Sequence, residues 1–318
     1  MAMPVTPIPV TPIPVILVGI GKIARDQHIP AITGNPAFTL AAAVSRNETV
    51  AGIPNFKTID DFLRDGPPGA VSLCTPPAVR TETALKVIAA GRDLMIEKPP
   101  AATIGEIETI AAAAKAAGVT LFNTWHSRYA AAVPAAKAWI ATHEIRHIAI
   151  NWREDVRRWH PNQAWIWQPG GFGVLDPGIN ALSILTEILP GPIHVLKSRF
   201  EIPANAFTPI GAEITLQARG AIQIDAVFDW RQQGPQSWDI IVQAEGSTMA
   251  LHNGGATIDI DGLQVSTARD AEYPIMYAMF ADLIRTRTSN VDTQPLRLCA
   301  DAYLTAQLLA TAPFHDQG

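Results

Sequence analysis

Hydrophobic residues follow two different patterns along the chain. Up to about Trp125, short continuous apolar runs alternate with stretches of helical periodicity. Beyond that point, several segments alternate apolar and polar residues with a period of two. Continuous apolar strands between helices are typical of a parallel sheet covered on both faces, and strict alternation is typical of an antiparallel sheet with one covered face. We therefore predict an α/β domain followed by an α+β domain.

The order of elements supports this division. A strand begins at Val15, and further strands are predicted at residues 38–45, 70–74, 94–96 and 119–123. Helices are predicted up to about residue 32 and at residues 58–64, 81–90 and 104–117. Strands that alternate with helices in this way form a parallel sheet with helices on both faces.

The later segments predict an open sheet with few helices. Residues 145–152 and 212–251 alternate with a period of two, so that Ile222 and Ile224 lie on one face while Gln223 and Asp225 lie on the other. Helices are predicted at residues 178–189 and 273–286. A last helix at residues 296–310 is expected to pack back on the first domain.

The composition is that of a soluble globular protein. Of the 318 residues, 48% are hydrophobic and 17% are charged, which is enough apolar surface for two domains. The net charge of −5 provides no basic surface for nucleic acid or an anionic membrane, and no apolar run reaches the ~18 residues of a membrane helix. Cys74 and Cys299 match neither a disulfide framework nor a metal-ligand pattern, so we predict a cytoplasmic protein without a metal site.

A glycine turn follows the first strand. The sequence from Val15 reads VILVGIGKIA, which places Gly19, Gly21 and Ala24 in a G-x-G-x-x-[GA] pattern between a strand and a helix. Glycines let a pyrophosphate approach the backbone, and the free N–H groups of a helix N-terminus bind it. This placement predicts a dinucleotide-binding Rossmann domain, with an ordinary glycine-rich turn as the alternative.

These patterns divide the chain into four segments. Residues 1–14 form a flexible proline-rich leader, and residues 15–125 form the Rossmann domain. Residues 126–292 form an α+β domain for substrate binding and oligomerisation, with a large open, mainly antiparallel sheet. Residues 293–318 are expected to form the helix that returns to the first domain.

The end of the second strand indicates which dinucleotide binds. An acidic residue there would bond the 2′-hydroxyl of NAD, but the strand ends Val44-Ser45-Arg46 with no carboxylate before Glu48. A guanidinium and a hydroxyl suit the 2′-phosphate of NADP, because Arg presents planar donors to phosphate oxygens. We predict NADP as the preferred cofactor and NAD as the second. In the alternative, Arg46 is a surface charge and Glu48 bonds the ribose.

Three residues are candidates for catalysis. Lys98 follows the fourth strand, at the edge where ligands bind in open α/β sheets. Its ammonium can hydrogen-bond a reacting hydroxyl, and a surface salt bridge with Glu97 is the alternative. Asp176 and Asn180 lie four residues apart around a helix start, where they can share one face. They suit a proton acceptor and an orienting amide, although an N-cap role for Asp176 explains the spacing equally well.

Tryptophans and charged residues are concentrated between residues 152 and 167. This stretch contains Trp152, Trp159, Trp165, Trp167, Arg153, Glu154, Arg157, Arg158 and His160. Aromatic rings beside carboxylates suit a sugar, whose C–H face stacks while its hydroxyls form hydrogen bonds. Core packing explains some of these tryptophans equally well. His126 and Trp238 either join such a pocket or are structural residues.

Together the motifs are similar to those of a known family. The order G-x-G-x-x-A, C-T-P-P, E-K-P and G-G-x-x-x-x-D-x-x-x-N resembles the glucose-fructose oxidoreductase/inositol dehydrogenase (Gfo/Idh/MocA) family over nearly the whole chain. Within the family, the sequence is most similar to the aldose 1-dehydrogenases for L-arabinose and D-galactose. The resemblance implies oxidation of the anomeric carbon of a pyranose to the aldonolactone, with hydride transfer to NADP or NAD. It also implies a homodimer or tetramer formed through the open sheet face.

The resemblance assigns roles to particular residues. Lys98 corresponds to the family's catalytic lysine, and Asp176 and Asn180 fall where the family has an acid/base and a substrate-orienting residue, although many relatives have His in place of Asn180. Besides these three residues, sugar contacts are implied for His126, Glu154, Trp159 and Trp238. Cofactor contacts are expected from Gly19, Gly21, Lys22, Ile23, Ser45, Arg46, Thr75, Pro76, Pro77, Glu97, Lys98 and Trp165.

Two other functions fit the same patterns. One is another reductase of the family, acting on inositol, a dihydrodiol, or an imine or enone. The other is a non-catalytic protein that senses the nicotinamide cofactor, since a fold alone does not determine function. The joint presence of Lys98, Asp176 and Asn180 favours an enzyme.

Overall fold

The first sheet is parallel and places the ends of its strands at one edge. The structure, a computed structural model, describes residues 11–267 and 271–315, so residues 1–10 of the expected leader lie outside it. The strands are β1 (Ile13–Val18), β2 (Phe38–Val44), β3 (Asn55–Phe56), β4 (Ala70–Leu73), β5 (Leu94–Ile96) and β6 (Leu121–Asn123). Their order is β3-β2-β1-β4-β5-β6, which is the order of a Rossmann fold.

Helices connect these strands as the periodicity predicts. A π-helical turn at Ala24–His28 continues into α1 (Ile29–Thr33), and α2 (Ile59–Asp65), α3 (Arg80–Ala89) and α4 (Ile104–Ala117) follow in turn. In α4, Thr103 and Glu106 form a reciprocal capping box, and Gly118 ends the helix in the left-handed conformation. Gly118 was the sequence signal for the end of this helix, and both ends of α4 agree with the predicted range 104–117.

The second sheet is mixed and mainly antiparallel. Its strands are β7 (Ile145–Arg153), β8 (Ile193–Pro203), β9 (Gly211–Ala218), β10 (Ile222–Asp229), β11 (Ser237–Ala244), β12 (Ser247–His252), β13 (Thr257–Ile260), β14 (Leu263–Thr267) and β15 (Ala306–Thr311). Within the described ranges, the strand order is β14-β13-β12-β11-β7-β10-β9-β8-β15. The pairs β7–β10 and β8–β15 are parallel, and the other pairs are antiparallel. The predicted fold class, a Rossmann domain followed by an α+β domain, is confirmed.

Helices cover one face of this second sheet. They are α5 (Val133–Ile140), α6 (Val156–Trp159), α7 (Leu175–Ile188) and α9 (Gln294–Leu304), whereas α8 (Glu272–Thr286) packs elsewhere. Buried side chains of α7 pack against alternate residues of β7 and β10, such as Ile150 and Phe228. The opposite face is polar, and its side chains pair with one another, as His147 does with Asp225 at 2.9 Å. No helix in the described ranges has the length and hydropathy that a membrane crossing requires.

Helix α8 packs on the first sheet although it follows the second sheet in sequence. Its buried residues Tyr273, Tyr277 and Phe280 join Phe38 and Phe122 in one cluster. The Phe280 ring lies 6.1 Å from the Phe38 ring and 6.4 Å from the Phe122 ring. The Rossmann sheet is therefore closed by a helix from the C-terminal part of the chain.

The end of the chain differs from the prediction in one respect. The helix predicted at residues 296–310 ends at Leu304, and Ala306–Thr311 forms β15 beside β8. The predicted helix is therefore wrong for its last residues, because pairing with the free edge of β8 overrides local helix propensity. The residue numbers that divide the four expected segments stay predictions.

The packing of α8 can be tested by removing its central ring. Phe280 is fully buried, so Phe280→Ala is expected to lower the free energy of unfolding by about 3–5 kcal/mol. Ile275 on the same helix is 42% exposed, and Ile275→Ala is expected to change that free energy by no more than about 0.5 kcal/mol. Urea denaturation followed by circular dichroism measures both. Equal effects of the two substitutions would contradict the assigned packing.

Candidate active site

The glycine turn after β1 has the shape that a dinucleotide needs. Gly19 has φ +89°, and a Cβ there would lie 2.9 Å from the backbone nitrogen of Thr75. Apart from Gly21 itself and adjacent positions of the chain, no atom of the described residues lies within 4 Å of the position that a Cβ of Gly21 would occupy. Gly19 is thus required by the neighbouring loop, whereas Gly21 leaves open space beside the start of the helix. These two glycines fit a pyrophosphate cradle.

Lys98 lies at the sheet edge and faces the second domain. Its Nζ donates to the carbonyl oxygen of Asp176 at 3.1 Å and lies 3.4 Å from Asp176 Oδ2. The side chain is 15% exposed and that of Asp176 is 5% exposed. Glu97 Oε2 accepts a hydrogen bond from the backbone N–H of Lys98 at 2.6 Å, and the Lys98–Pro99 peptide bond is cis. The alternative of a surface salt bridge with Glu97 is therefore wrong.

Asp176 is inside helix α7 and does not cap it. Val174 occupies the N-cap position, and no side-chain cap bond is formed there. The Asp176 carboxylate turns toward Lys98 and toward His160, whose Nδ1 lies 3.9 Å from Oδ2. The N-cap interpretation of Asp176 is thus wrong, and the spacing reflects a charged contact between domains.

His160 joins Asp176 to a second buried carboxylate. Its Nε2 lies 3.3 Å from Glu154 Oε1, at the end of β7. Glu154 is 5% exposed and accepts hydrogen bonds from the indole N–H groups of Trp230 at 3.2 Å and Trp238 at 2.9 Å. The residues Lys98, Asp176, His160 and Glu154 therefore form one continuous polar row.

His160 is the residue of this row to which the sequence assigned no role. It stands among the tryptophans and arginines of residues 152–167, but no spacing singles it out. Its position depends on α6, which follows β7 directly and ends at Trp159. The only available signal was its sequence proximity to Glu154.

The aromatic residues of this region fall into two groups. Trp159 and Trp238 contact each other edge to face, with ring centroids 5.3 Å apart, beside Glu154. The indole N–H of Trp159 is buried and has no hydrogen-bond partner in the described structure. Trp152 is 5% exposed and belongs to the core, as the packing alternative expected. Trp165 is half-buried and packs against the same core, so its cofactor contact stays a prediction.

Two predicted sugar contacts have other surroundings. His126 Nδ1 lies 2.6 Å from Glu272 Oε2, and the His126 ring stacks on Tyr273 with centroids 5.5 Å apart. Burial alone would lower the pKa of His126, but the Glu272 carboxylate raises it above its usual value. Asn180 is half-buried, one turn after Asp176 in α7. The roles predicted for His126 and Asn180 stay predictions.

A buried ion pair lies behind Lys98. The Glu97 Oε1 atom lies 3.1 Å from His28 Nε2 and accepts a hydrogen bond from the Tyr273 hydroxyl at 2.8 Å. His28 Nδ1 lies 2.8 Å from the hydroxyl oxygen of Tyr277. Burial alone would raise the pKa of Glu97, but the hydrogen bond and charge of His28 hold it well below its usual range. Glu97 is therefore a buried carboxylate anion directly beside Lys98.

The residues near the end of β2 carry several positive charges and one carboxylate, which is already in an ion pair. Glu48 Oε2 accepts a hydrogen bond from Arg25 at 2.6 Å, and the Ser45 hydroxyl accepts one from the Glu48 backbone N–H at 3.3 Å. The Lys57 ammonium donates to the carbonyl oxygen of Arg46 at 3.0 Å. The Arg46 side chain is exposed and forms no ion pair with the described residues.

Comparison with known proteins agrees with this geometry. Residues 13–124 match a family model described as an oxidoreductase family with an NAD-binding Rossmann fold, Gfo/Idh/MocA. The chain is 41% identical to galactose 1-dehydrogenase of Pseudomonas fluorescens over 305 residues, which covers 94% of this chain and 98% of the relative. The chain belongs to the Gfo/Idh/MocA family. It is an oxidoreductase with an NAD-binding Rossmann fold, and the family resemblance of its motifs is confirmed.

Solved structures share the fold of this chain. The crystal structure of D-galactose-1-dehydrogenase from Rhizobium etli matches with a TM-score of 0.91 and 46% identity, covering 96% of this chain and 98% of that one. The 3-ketoreductase KijD10 from Actinomadura kijaniata, in complex with NADP and TDP-benzene, matches with a TM-score of 0.82 and 17% identity over 95% of this chain and all of that one. This Gfo/Idh/MocA protein therefore shares its fold with KijD10 and both fold and sequence with the R. etli protein.

The ion pair behind Lys98 predicts a pH dependence of stability. Burial would lower the pKa of His28, but its contacts with Cys74, Tyr277 and Glu97 raise it well above its usual 6.5. The raised pKa of His28 contributes stability that is complete below pH 6.5 and is lost as the pH rises through the folded-state value. The lowered pKa of Glu97 contributes stability that is complete above pH 4.5 and is lost in acid.

Replacement of His28 should therefore matter most in mild acid. For His28→Gln, the loss in free energy of unfolding is expected to be largest between about pH 5 and 6 and smaller by about pH 9. Urea titrations of both proteins across this range measure the difference. His194 is exposed, so His194→Gln serves as the control and is expected to show no such trend. A loss for His28→Gln that does not vary with pH would contradict the ion pair.

Proposed function

We propose that the protein is a galactose 1-dehydrogenase that oxidises the anomeric carbon of D-galactose or L-arabinose and prefers NADP. The observation that carries this proposal is the contact of Lys98 with Asp176, which joins the ligand edge of the Rossmann sheet to the row ending at Glu154. Two relatives that are 41% and 46% identical to this chain, over 94% and 96% of its length, are named as galactose 1-dehydrogenases.

The cofactor is assigned to the carboxyl edge of the first sheet. Gly19 and Gly21 would hold its pyrophosphate, and the loop that contains Thr75 would border it, because Thr75 leaves no room for a side chain at Gly19. When bound, the nicotinamide supplies the chemistry of a hydride acceptor. Lys98 follows β5 at the same edge, so its ammonium is available to a substrate bound there.

Lys98 and Asp176 would act on the anomeric hydroxyl. The Lys98 ammonium donates a hydrogen bond to that oxygen and stabilises charge on it as its proton departs. The Asp176 carboxylate lies next to the ammonium and would accept the proton, and His160 lies behind it as a neighbouring base. Each of these groups is mostly buried, so water competes little for their hydrogen bonds.

The sugar would lie between Lys98 and the aromatic pair of Trp159 and Trp238. The unpartnered indole N–H of Trp159 is a donor for a sugar hydroxyl, since a buried donor without a partner is costly. Glu154 accepts from Trp238 and from Trp230, which fixes its carboxylate beside this space. D-galactose and L-arabinose have the same configuration from C1 to C4, so one pocket can take both.

The preference for NADP rests on the surroundings of β2. Among the described residues at the end of β2, the carboxylate of Glu48 is paired with Arg25, which directs one of its oxygens to that guanidinium rather than to a 2′-hydroxyl. Arg46 carries an unpaired guanidinium, and Lys57 places a second cation beside it. This distribution favours a 2′-phosphate. The cytoplasmic location and the homo-oligomer through the open sheet face stay predictions beside this proposal.

The proposal predicts NADPH formation with particular sugars. Purified protein with NADP is expected to reduce the cofactor with D-galactose and L-arabinose, and absorbance at the NADPH band measures it. Lys98→Met is expected to lower kcat about 100-fold or more, because it removes the donor to the reacting oxygen. Lys115 is exposed on α4, and Lys115→Met is the matched control with unchanged turnover.

The same assay separates the alternatives. Turnover of inositol or a dihydrodiol in place of the aldoses would identify another reductase of the family. An absence of turnover with every polyol, together with tight NADP binding, would identify a cofactor sensor. Either result would overturn the proposed function.

A second prediction concerns the choice of cofactor. Arg46→Ala is expected to raise the KM for NADP about tenfold and to change that for NAD little, because a charge-assisted hydrogen bond to the 2′-phosphate contributes about 1.5–3 kcal/mol. Initial rates with each cofactor at saturating sugar measure this. Arg219 is exposed on the other domain, so Arg219→Ala controls for net charge. An equal rise of KM for NAD and NADP would rule out the phosphate contact.

A further inference from the structure

A buried arginine lies between the two loops that border the candidate active site. Arg80 is the first residue of α3 and is 2% exposed. Its Nε donates to the carbonyl oxygen of Thr75 at 2.9 Å, and its Nη2 donates to the same oxygen. Its Nη1 donates to the carbonyl oxygens of Glu97 and Pro99. Both loops are therefore bound to one side chain.

The three carbonyl groups bound by Arg80 belong to the loop near the glycine turn and to the two neighbours of Lys98. Thr75 is the second residue of the loop after β4, and its backbone nitrogen would lie 2.9 Å from a Cβ at Gly19, so this loop passes close to the glycine turn. Glu97 and Pro99 are the residues directly before and after Lys98. Arg80 thus connects the loop beside the cofactor turn to both flanks of the catalytic lysine.

The backbone of Lys98 also forms a hydrogen bond with a neighbouring carboxylate. Glu97 Oε2 accepts from the Lys98 backbone N–H, while Arg80 donates to the carbonyl groups on either side. The backbone around Lys98 is thus bound by the Glu97 carboxylate and by the Arg80 guanidinium. Because the backbone is fixed in this way, the Lys98 side chain is held toward Asp176.

We propose that Arg80 is a positioning residue, which keeps Lys98 aligned with the bound cofactor by fastening the two loops to each other. The inference rests on the proposed function, because it takes Lys98 to act on the bound sugar. A guanidinium presents five N–H donors in a rigid plane, whereas a lysine ammonium is a point charge with three. In Arg80, Nη1 binds two carbonyl oxygens while Nε and Nη2 together bind a third. Holding these three groups at once needs the planar arrangement of donors.

The charge of Arg80 is compatible with its burial. Burial lowers the pKa of Arg80 to about 10, while the nearby Glu97, Cys74 and Asp176 act in the opposite direction. The guanidinium is therefore protonated at neutral pH, and carbonyl dipoles solvate it in place of water.

The test compares two substitutions of Arg80 with a control on the same helix. Arg80→Lys keeps the charge and Arg80→Met keeps much of the volume, and neither keeps the planar set of donors. Lys86 is on α3 with its ammonium 2.9 Å from Asp60 and 3.0 Å from Glu82 at the surface, so Lys86→Met is the control. Circular dichroism and Tm establish that each variant is folded at the assay temperature.

Both Arg80 variants are expected to lower kcat about tenfold or more, because a misplacement of about 1 Å costs up to about 100-fold in rate. The KM for the sugar is expected to change by less than about threefold, since Glu154 and Trp238 belong to the other domain. If Arg80 only stabilised the fold, its loss would lower kcat in proportion to the unfolded fraction of the protein. Arg80→Lys, which keeps the charge, would then recover both Tm and kcat.

A second readout does not require turnover. Bound NADPH fluoresces more strongly when its nicotinamide is held rigidly, so titration of each variant reports affinity and order separately. The Arg80 variants are expected to bind NADPH with Kd within about threefold of wild type but with reduced fluorescence enhancement. If the wild type oxidised no aldose, the proposed function would fail, and this titration would still decide the role of Arg80.

Three results would overturn the inference. The first is a folded Arg80→Lys or Arg80→Met protein with kcat within about twofold of wild type. The second is unchanged enhancement of NADPH fluorescence in both variants. The third is failure of both variants to fold, since a positioning role predicts folded protein with slow turnover.

Discussion

The contact between Lys98 and Asp176 constrains the arrangement of the two domains, because it can form only where they pack closely. Lys98 follows β5 of the Rossmann sheet and Asp176 belongs to α7 of the second domain, yet their charged groups are 3.4 Å apart and mostly buried. Removing two such charges from water costs several kcal/mol per ion, so either one alone at this position would oppose folding. The contact is favourable only if the domains dock closely. A site of this kind therefore requires the large apolar interface that surrounds α7.

The same requirement explains why the C-terminal part of the chain returns to the first sheet. Glu97 is held by His28 and Tyr273, and Tyr273 belongs to α8, far away in sequence. The apolar side of α8, centred on Phe280, closes the Rossmann sheet, while its first turn delivers a hydroxyl to the carboxylate beside Lys98. One helix, α8, thus both packs on the first sheet and donates a hydrogen bond to the buried carboxylate of Glu97. The Rossmann domain is completed structurally by residues that lie beyond its sequence segment.

Local signals and long-range contacts were predictable to different degrees. The glycine turn, the parallel first sheet and Lys98 follow from patterns within about 30 residues, because strand, turn and helix are read from adjacent positions. Asp176 was found by its spacing, but its two interpretations could be separated only by the position of Lys98, 78 residues earlier. His160 belonged to the tryptophan-rich stretch, but no spacing assigned it a role, and β15 was predicted as a helix because the free edge of β8 was not known. Tertiary distance, which the sequence does not contain, decided each of these cases.

The row from Lys98 to Glu154 also constrains where protons can be. A neutral histidine has one N–H, yet both nitrogens of His160 face carboxylates, Nε2 toward Glu154 and Nδ1 toward Asp176. Trp230 and Trp238 already donate to Glu154, and the Lys98 ammonium donates to Asp176, so each carboxylate has a donor other than His160. A neutral His160 can therefore donate to one of the two carboxylates and present the lone pair of its other nitrogen to the second. In the proposed reaction, Asp176 would accept the proton of a hydroxyl bound at Lys98, and a lone pair on Nδ1 of His160 would face that proton.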